Sequence, residues 1–253
     1  MTGPVTAKPQ LASPCEVCRS WAAGSLCEPC LQRFASPRLR CSGCALPLAQ
    51  PATAAAVPGA PPPRCGPCLR DPPPWSRAAS ALDYGFPWDR LIADFKFRRR
   101  PELAGVLAGL LAQAVRDACR AAPLEAASQP VELVLPVPLS RQRLVERGFN
   151  QAWELARRVA HELGLPADAQ TLVRVVDTPH LPGLARDERL AGLRGAFMVE
   201  PRRRAAVAGR HLALVDDVLT SGATAAQACD TLLRAGAASV QLWALARTPA
   251  PAG

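Results

Sequence analysis

Residues 211–224 read HLALVDDVLTSGAT and hold the densest chemistry in the chain. An apolar run closes on two adjacent carboxylates, Asp216 and Asp217. Small residues follow, Thr220, Ser221, Gly222, Ala223 and Thr224, and lead into a helical pattern. Carboxylates so placed can accept hydrogen bonds from a sugar diol or hold Mg²⁺. A hydroxyl-rich turn entering a helix offers backbone N–H groups and the positive helix end to a phosphate. The segment has one glycine and no GK[ST], so it is neither a Walker loop nor G-x-G-x-x-G.

A second chemistry is carried by sulfur. Eight of the ten cysteines form four CxxC knuckles, Cys15/Cys18, Cys27/Cys30, Cys41/Cys44 and Cys65/Cys68, separated by 8, 10 and 20 residues. Two-residue spacing turns both thiolates toward one tetrahedral ion, so pairs of knuckles predict two structural Zn²⁺ sites. Disulfides and redox CxxC motifs are the competing readings. Neither suits four consecutive knuckles ahead of any strand–helix unit in a chain without a secretory leader. Sequential pairing gives stacked ribbons and interleaved pairing a cross-brace; the short first gap favours the former. Cys119 and Cys229 sit in helical patterns and read as small buried hydrophobes.

Other polar residues are spaced for anion contact. Arg141, Arg147, Asn150 and Gln151 follow a strand ending Pro136–Val137–Pro138. Guanidinium and amide groups there can grip phosphate oxygens; a solvated arginine face with an Asn–Gln helix start is the alternative. Residues 177–195 form a long polar connection with Arg186, Arg189 and Arg194, the pattern of a mobile lid or of an ordinary surface loop. Residues 75–100 hold six of the twelve aromatics beside Lys96, Arg98, Arg99 and Arg100. Cations next to rings such as Trp88 suit single-stranded nucleic acid; a hydrophobic corner packed on a sheet is the commoner use of such rings.

The elements that must position these groups alternate. Apolar runs at 78–84, 131–137, 171–176, 211–217 and 238–246 read as strands. Residues 88–120 read as helix broken at Arg98–Pro101, its second part carrying Leu103, Val106, Leu107, Leu110, Leu111 and Val115 on one face; 149–164 and 222–235 are helical as well. The order predicts an α/β fold, a parallel sheet with helices on both faces, preceded by a small zinc-ribbon module of four-cysteine sites. Composition divides the chain into a frayed 1–14, a 15–74 double zinc ribbon with a Pro-rich tether, and an α/β domain over 75–253.

With 253 residues and 49% apolar side chains, the chain can build a sizeable core, which excludes wholesale disorder. No run is long enough to span a membrane and the first residues lack a secretory h-region, so a cytoplasmic protein is expected. The formal charge is +9, with +5 in residues 1–70. Two zinc tetrathiolates would lower the total to about +5, a modest pull toward an anionic partner. Three histidines leave no Ser-His-Asp logic.

LALVDDVLTSGAT resembles the phosphoribosyl pyrophosphate (PRPP) signature of type I phosphoribosyltransferases. That resemblance implies that Asp216 and Asp217 take the ribose hydroxyls and that Thr220–Thr224 hold the 5′-phosphate. VLPVPLSRQRLVERGFNQ (134–151), LARDERLAGLRGAF (184–197), the knuckles and CGPCLRDPPPW are similar to the ComF family of competence-associated proteins, its GntX-like branch in particular. The similarity runs from Cys15 to Arg247, with Gly192 standing where the family carries Asn. It implies a type I phosphoribosyltransferase-like sheet, binding of PRPP or another phosphoribosyl ligand with Mg²⁺, pyrophosphate contacts from Arg141, Arg147, Asn150 and Gln151, and closure by Arg186 and Arg189. It also implies single-stranded DNA as a partner, together with DNA-uptake or recombination proteins. A working transferase, in which a nitrogen nucleophile displaces pyrophosphate, is a second reading, and a catalytically silent zinc-ribbon adaptor a third. The segment after the last strand offers no hood over a base, so one would have to come from 75–100 or the cysteine module.

Overall fold

The computed structural model describes residues 12–49, 62–98, 100–120, 130–176 and 195–250. The chain divides into two compact units, residues 1–36 and 37–253. The first pair of knuckles therefore forms one unit. The second pair lies in the unit of the sheet, although composition suggested a boundary near 75.

In the first unit, β1 (Ser13–Pro14) pairs antiparallel with β2 (Trp21–Ala22), and α1 spans Glu28–Phe34. Cys27 stands in extended backbone as the α1 N-cap, with a proline in the first turn. Proline is tolerated there because its missing N–H would have no partner anyway. This places Cys30 on the first turn, beside Cys27.

The second unit repeats that device. Cys65 is the extended N-cap of α2 (Gly66–Arg70), again with a proline in the first turn. Next come β3 (Arg77–Asp83), α3 (Trp88–Phe97), α4 (Leu103–Arg120), β4 (Leu133–Pro136), α5 (Arg141–Arg147) and α6 (Gln151–Leu163). β5 (Leu172–Arg174), β6 (Phe197–Val199), a 3₁₀ turn at Pro201–Ala206, β7 (His211–Leu219), α7 (Ala223–Arg234) and β8 (Ser239–Arg247) complete it.

β3, β8, β7 and β4 form one parallel sheet in that order. Side chains alternate across it. Leu133, Leu135, Leu212, Leu214, Val240 and Leu242 join one buried cluster with Ala225, Ala228 and Leu232 of α7. Against the other face pack α4 and α6. α4 and α6 also pack against each other, and Ala104, Ala108, Ala112, Ala156 and Ala160 on the two helices are buried.

The α/β class, the parallel sheet and its flanking helices agree with the sequence expectation. Two local differences stand out. The 171–176 run supplies β5, which pairs antiparallel with β6 in a separate two-stranded sheet instead of joining the parallel one. β7 also continues past the carboxylates to Leu219, because Val218 and Leu219 still pair with Ala246 and Arg247 of β8. The expected lid, 177–195, lies almost wholly outside the described residues, and Arg186, Arg189 and Arg99 with it.

Candidate functional site

The carboxyl ends of β4 and β7 open into a cleft of about 610 Å³ whose walls include Asp216, Asp217, Thr220, Thr224, Arg147 and Lys96. Open α/β sheets bind ligands at this position, where loops diverge beyond the strands. Asp216 and Asp217 are successive residues on a strand, and Asp217 N–H donates to Asp216 Oδ1 at 2.8 Å. Lys96, from α3, places Nζ 2.8 Å from Asp217 Oδ1, with both side chains largely buried. Burial, reinforced by the neighbouring Asp217 charge, pushes the Asp216 carboxyl up from 3.8 to about 7, while Lys96 and Arg147 pull the other way.

α5 carries the arginines of the opposite wall. Its ends are defined by Ser140, whose hydroxyl accepts from Arg143 N–H at 3.4 Å, and by Gly148 at φ 81°. Arg143 and Arg147 both line the cleft, being one helical turn apart. Arg141, six residues from Arg147, turns to solvent and is absent from the lining. Arg143 is thus the residue that sequence reasoning missed, and the i,i+4 spacing was the available signal. Arg147 Nη1 donates to Gln151 Oε1 at 2.8 Å, and its guanidinium lies 5.0 Å from the centre of the Phe97 ring. Burial lowers its pKa, with Asp217 opposing the shift.

Asn150 and Gln151 also line the cleft, but their amides already have work within the fold. Asn150 Oδ1 accepts from Ala152 N–H and Trp153 N–H, capping α6, while its Nδ2 donates to Val137 O at 3.2 Å. Gln151, fully buried, donates to Lys96 O at 3.3 Å. These two residues join β4, α3 and α6 around the cleft.

The Thr220–Thr224 turn has a hollow on each side. Thr220 and Thr224 face the carboxylate cleft, while Thr220, Ser221 and Gly222 face a second one of about 630 Å³. Gly222 has φ 79°, and an added Cβ would lie 3.2 Å from Trp75 Cη2, so both backbone and space require glycine. Ser221 Oγ accepts from Ala223 N–H at 3.4 Å as α7 begins.

Behind this turn stands the second cysteine cluster. Trp75 Nε1 donates to Gly43 O at 2.5 Å. Arg247, only 8% exposed, donates from Nε to Cys44 O at 2.9 Å and from Nη1 to Leu219 O and Thr220 O at 2.9 and 2.7 Å. The knuckle also lies along the edge strand, with Ala78 N–H donating to Ser42 O and Arg40 paired to Asp83 at 2.7 Å.

The sulfurs group sequentially, Cys15, Cys18, Cys27 and Cys30 in one cluster and Cys41, Cys44, Cys65 and Cys68 in the other, each within 4.8 Å. This resolves the two pairing schemes in favour of the sequential one. A zinc–sulfur distance of about 2.3 Å gives tetrahedral edges near 3.8 Å. The Cys18–Cys27 and Cys44–Cys65 separations are each 3.5 Å. N–H groups already point at the inward-facing sulfurs: Cys27 N–H to Cys15 Sγ, and Gly43 and Cys65 N–H to Cys41 Sγ. Against the opposing effect of burial, such donors lower the Cys41 thiol to about 7, and bonds from Ser20 lower Cys18 to about 6. All eight residues thus fit Zn²⁺. The Asp216–Asp217 pair is no closed cage for a divalent ion, since Lys96 occupies Asp217.

The nucleic-acid candidates scatter. Trp88 is 2% exposed, which corrects the expectation that its ring is available for stacking. Arg98 pairs with Asp94 and Arg100 with Glu102. Phe97 is 66% exposed beside the cleft. Among the described residues, no helix is long and apolar enough to cross a membrane.

No family model matches the chain. It is 39% identical over 237 residues to the DNA utilization protein YhgH of Salmonella typhimurium, covering 92% of this chain and 96% of that one. It is 36% identical to YhgH of Escherichia coli K12 over the same shares. To competence protein F of Haemophilus influenzae it is 35% identical over 183 residues, 72% and 78% of the two chains. Solved structures with some likeness include the B. subtilis glutamine PRPP amidotransferase (TM-score 0.38, 17% identity, 60% of this chain and 30% of that one). Trypanosoma cruzi hypoxanthine phosphoribosyl transferase is another (TM-score 0.35, 14% identity, 58% and 66%). From identity of 35–39% sustained over most of this chain and of its relatives, the chain belongs to the ComF family of DNA utilization and competence proteins.

Proposed function

We infer that the protein binds PRPP or a related phosphoribosyl ligand, with Mg²⁺, in the carboxylate cleft, and couples that binding to the handling of single-stranded DNA. The observation that carries the reading is convergence. Two carboxylates, the hydroxyl-rich turn at a helix start and the cations of α3 and α5 meet in one cleft at the strand ends. In this reading Asp216 and Asp217 take the ribose hydroxyls and Thr220–Thr224 the 5′-phosphate. Arg143 and Arg147 take the pyrophosphate, with Arg186 and Arg189 proposed to close over it. Mg²⁺ supplies charge neutralisation on the pyrophosphate oxygens. Lys96, held on Asp217 in the free protein, exchanges its carboxylate for a phosphate oxygen. The names of the relatives point the same cleft toward DNA utilization and uptake, with the cytoplasm as the proposed compartment.

Calorimetric titration of PRPP with Mg²⁺ tests the ligand. Saturable heat is expected from the wild type and none from Asp216→Asn/Asp217→Asn at unchanged zinc content; equal affinity in the variant would place the ligand elsewhere. For DNA, binding to a short single strand is expected to weaken steeply with salt. Absence of binding at low salt would remove the DNA role. A second reading, turnover, is favoured by Phe97 and Tyr84 beside the cleft, which can support a planar acceptor. Pyrophosphate release that depends on an added base or on DNA is its signature.

A further inference from the structure

Two apparently separate devices, a cysteine cluster and a phosphate-type turn, share one buried hydrogen-bond network. Arg247 lies between them. Its Nε holds the carbonyl of a metal-ligand residue, Cys44, while its Nη1 holds the carbonyls of Leu219 and Thr220, where the turn begins. The guanidinium carries Nε and Nη1 as separate, fixed donor atoms, whereas an ammonium places all its N–H groups on one nitrogen. Trp75 makes the second link. Its indole N–H is bonded to Gly43, between Cys41 and Cys44, and its ring edge lies against Gly222. Gly43 is packed tightly against the centre's own ligands, since a Cβ there would lie 2.9 Å from Cys68 Cβ. Displacement of the Cys41–Cys44 knuckle therefore bears directly on the two groups on which the turn rests.

We propose that the Cys41–Cys44–Cys65–Cys68 centre is the support of the Thr220–Thr224 turn, with Arg247 and Trp75 as positioning residues, so that metal at the centre and a phosphate ester at the turn stabilise each other. Thermodynamic linkage makes the effect reciprocal. Loss of metal loosens the turn, and a ligand held by the turn slows metal loss from this centre. The second half rests on the ligand reading proposed above; the first half does not.

Hydrogen exchange on the full-length, zinc-loaded protein tests the first half. In Cys68→Ser, the protected amides of the turn and its flanks, Ala223, Ala226 and Thr248, are expected to exchange at least tenfold faster. β4 should keep its protection, and Cys18→Ser, in the other centre, should leave the turn unchanged. Arg247→Met and Arg247→Lys leave all eight cysteines intact and are expected to loosen the turn alike, because retained charge does not restore the fork. Unchanged exchange in both Cys68→Ser and Arg247→Met, or full rescue by Arg247→Lys, overturns the proposal.

Zinc transfer to a chromogenic chelator tests the second half. PRPP with Mg²⁺ is expected to slow release from one of two zinc ions at least threefold in the wild type and not in Arg247→Lys. PRPP that binds calorimetrically yet changes neither release rate overturns the linkage while leaving the ligand reading intact. A loosened turn in the variants with no PRPP binding to the wild type supports the metal-to-turn coupling and overturns the ligand reading.

Discussion

The two cysteine clusters are local twins with different surroundings. Each combines a turn of the first CxxC with an extended cysteine that caps a short helix beginning with proline, and each brings four sulfurs within 4.8 Å. The first belongs to a unit of 36 residues. The second offers the carbonyls of Ser42, Gly43 and Cys44 to Ala78, Trp75 and Arg247. The lesson is that a metal knuckle's part in a protein is decided by its backbone acceptors, not by its ligands. A CxxC motif displays only the ligands.

That contrast breaks most severely at the ligands themselves. Cys41→Ser/Cys44→Ser is expected to lose one zinc ion and to destabilise the α/β unit by more than about 4 kcal/mol. Cys15→Ser/Cys18→Ser should lose one zinc and leave the main urea transition in place. Equal shifts in the two variants would erase the distinction between the centres. Trp75→Ala removes a 6%-exposed indole from between knuckle and turn. A loss of about 3–5 kcal/mol is expected, with the denaturant slope unchanged.

Asp216→Asn sharpens the comparison by separating the chemistry of the cleft from that of the sulfurs. The Asp216 carboxyl is raised from 3.8 to about 7, so between those values the native state keeps a proton that the unfolded chain releases. Native stability therefore falls as pH rises through that window, and the penalty is complete above it. Asn removes the penalty. Asp216→Asn is expected to be about 1–3 kcal/mol more stable than wild type at pH 8 and equal to it below pH 4. A variant no more stable at pH 8 would show that Lys96 already compensates the charge.

Smaller effects are expected at the edges of the contrast. Asn150→Ala should cost about 1–2 kcal/mol through the lost α6 cap, whereas Asn150→Asp keeps the cap and adds negative charge to the cleft wall. Unfolding curves together with phosphate-ester affinity separate the two. Trp21→Ala, in the first unit and 76% exposed, should leave zinc at two and stability within about 0.5 kcal/mol.

Much of this architecture was legible in the sequence where periodicity and chemistry coincide. α3 and α4 break at the Arg98–Pro101 interruption, and α6 ends at Gly164 in a left-handed cap. The α4 stripe of leucines was visible, but Ala104, Ala108 and Ala112 are as fully buried, and hydrophobic patterning weighs alanine lightly. α5 has no buried residue, so hydrophobic periodicity gave no sign of it and the sequence reading placed no helix at 141–147. For that reason Arg141 was singled out and Arg143 passed over. Asn150 and Gln151 line the cleft, yet their amides serve the fold, which spacing cannot distinguish from service to a ligand. Arg247 was invisible as a linker. A lone arginine ending a strand carries no signature when its acceptors, at Cys44 and Leu219, lie far away in the chain.

The Lys96–Asp217 pair has a practical corollary. The chain contains only two lysines, and the other, Lys8, stands near its first residue. An amine-directed acylating reagent therefore has one target within the cleft, and that target is shielded while it is locked to Asp217. Any event that removes the Asp217 partner exposes the side chain, whose neutral amine, formed once the ammonium gives up a proton, attacks the reagent; a bound anion shields it again. The extent of labelling at this one residue thus reports loss of the Lys96–Asp217 pair, as in Asp217→Asn, read by mass without attaching a reporter.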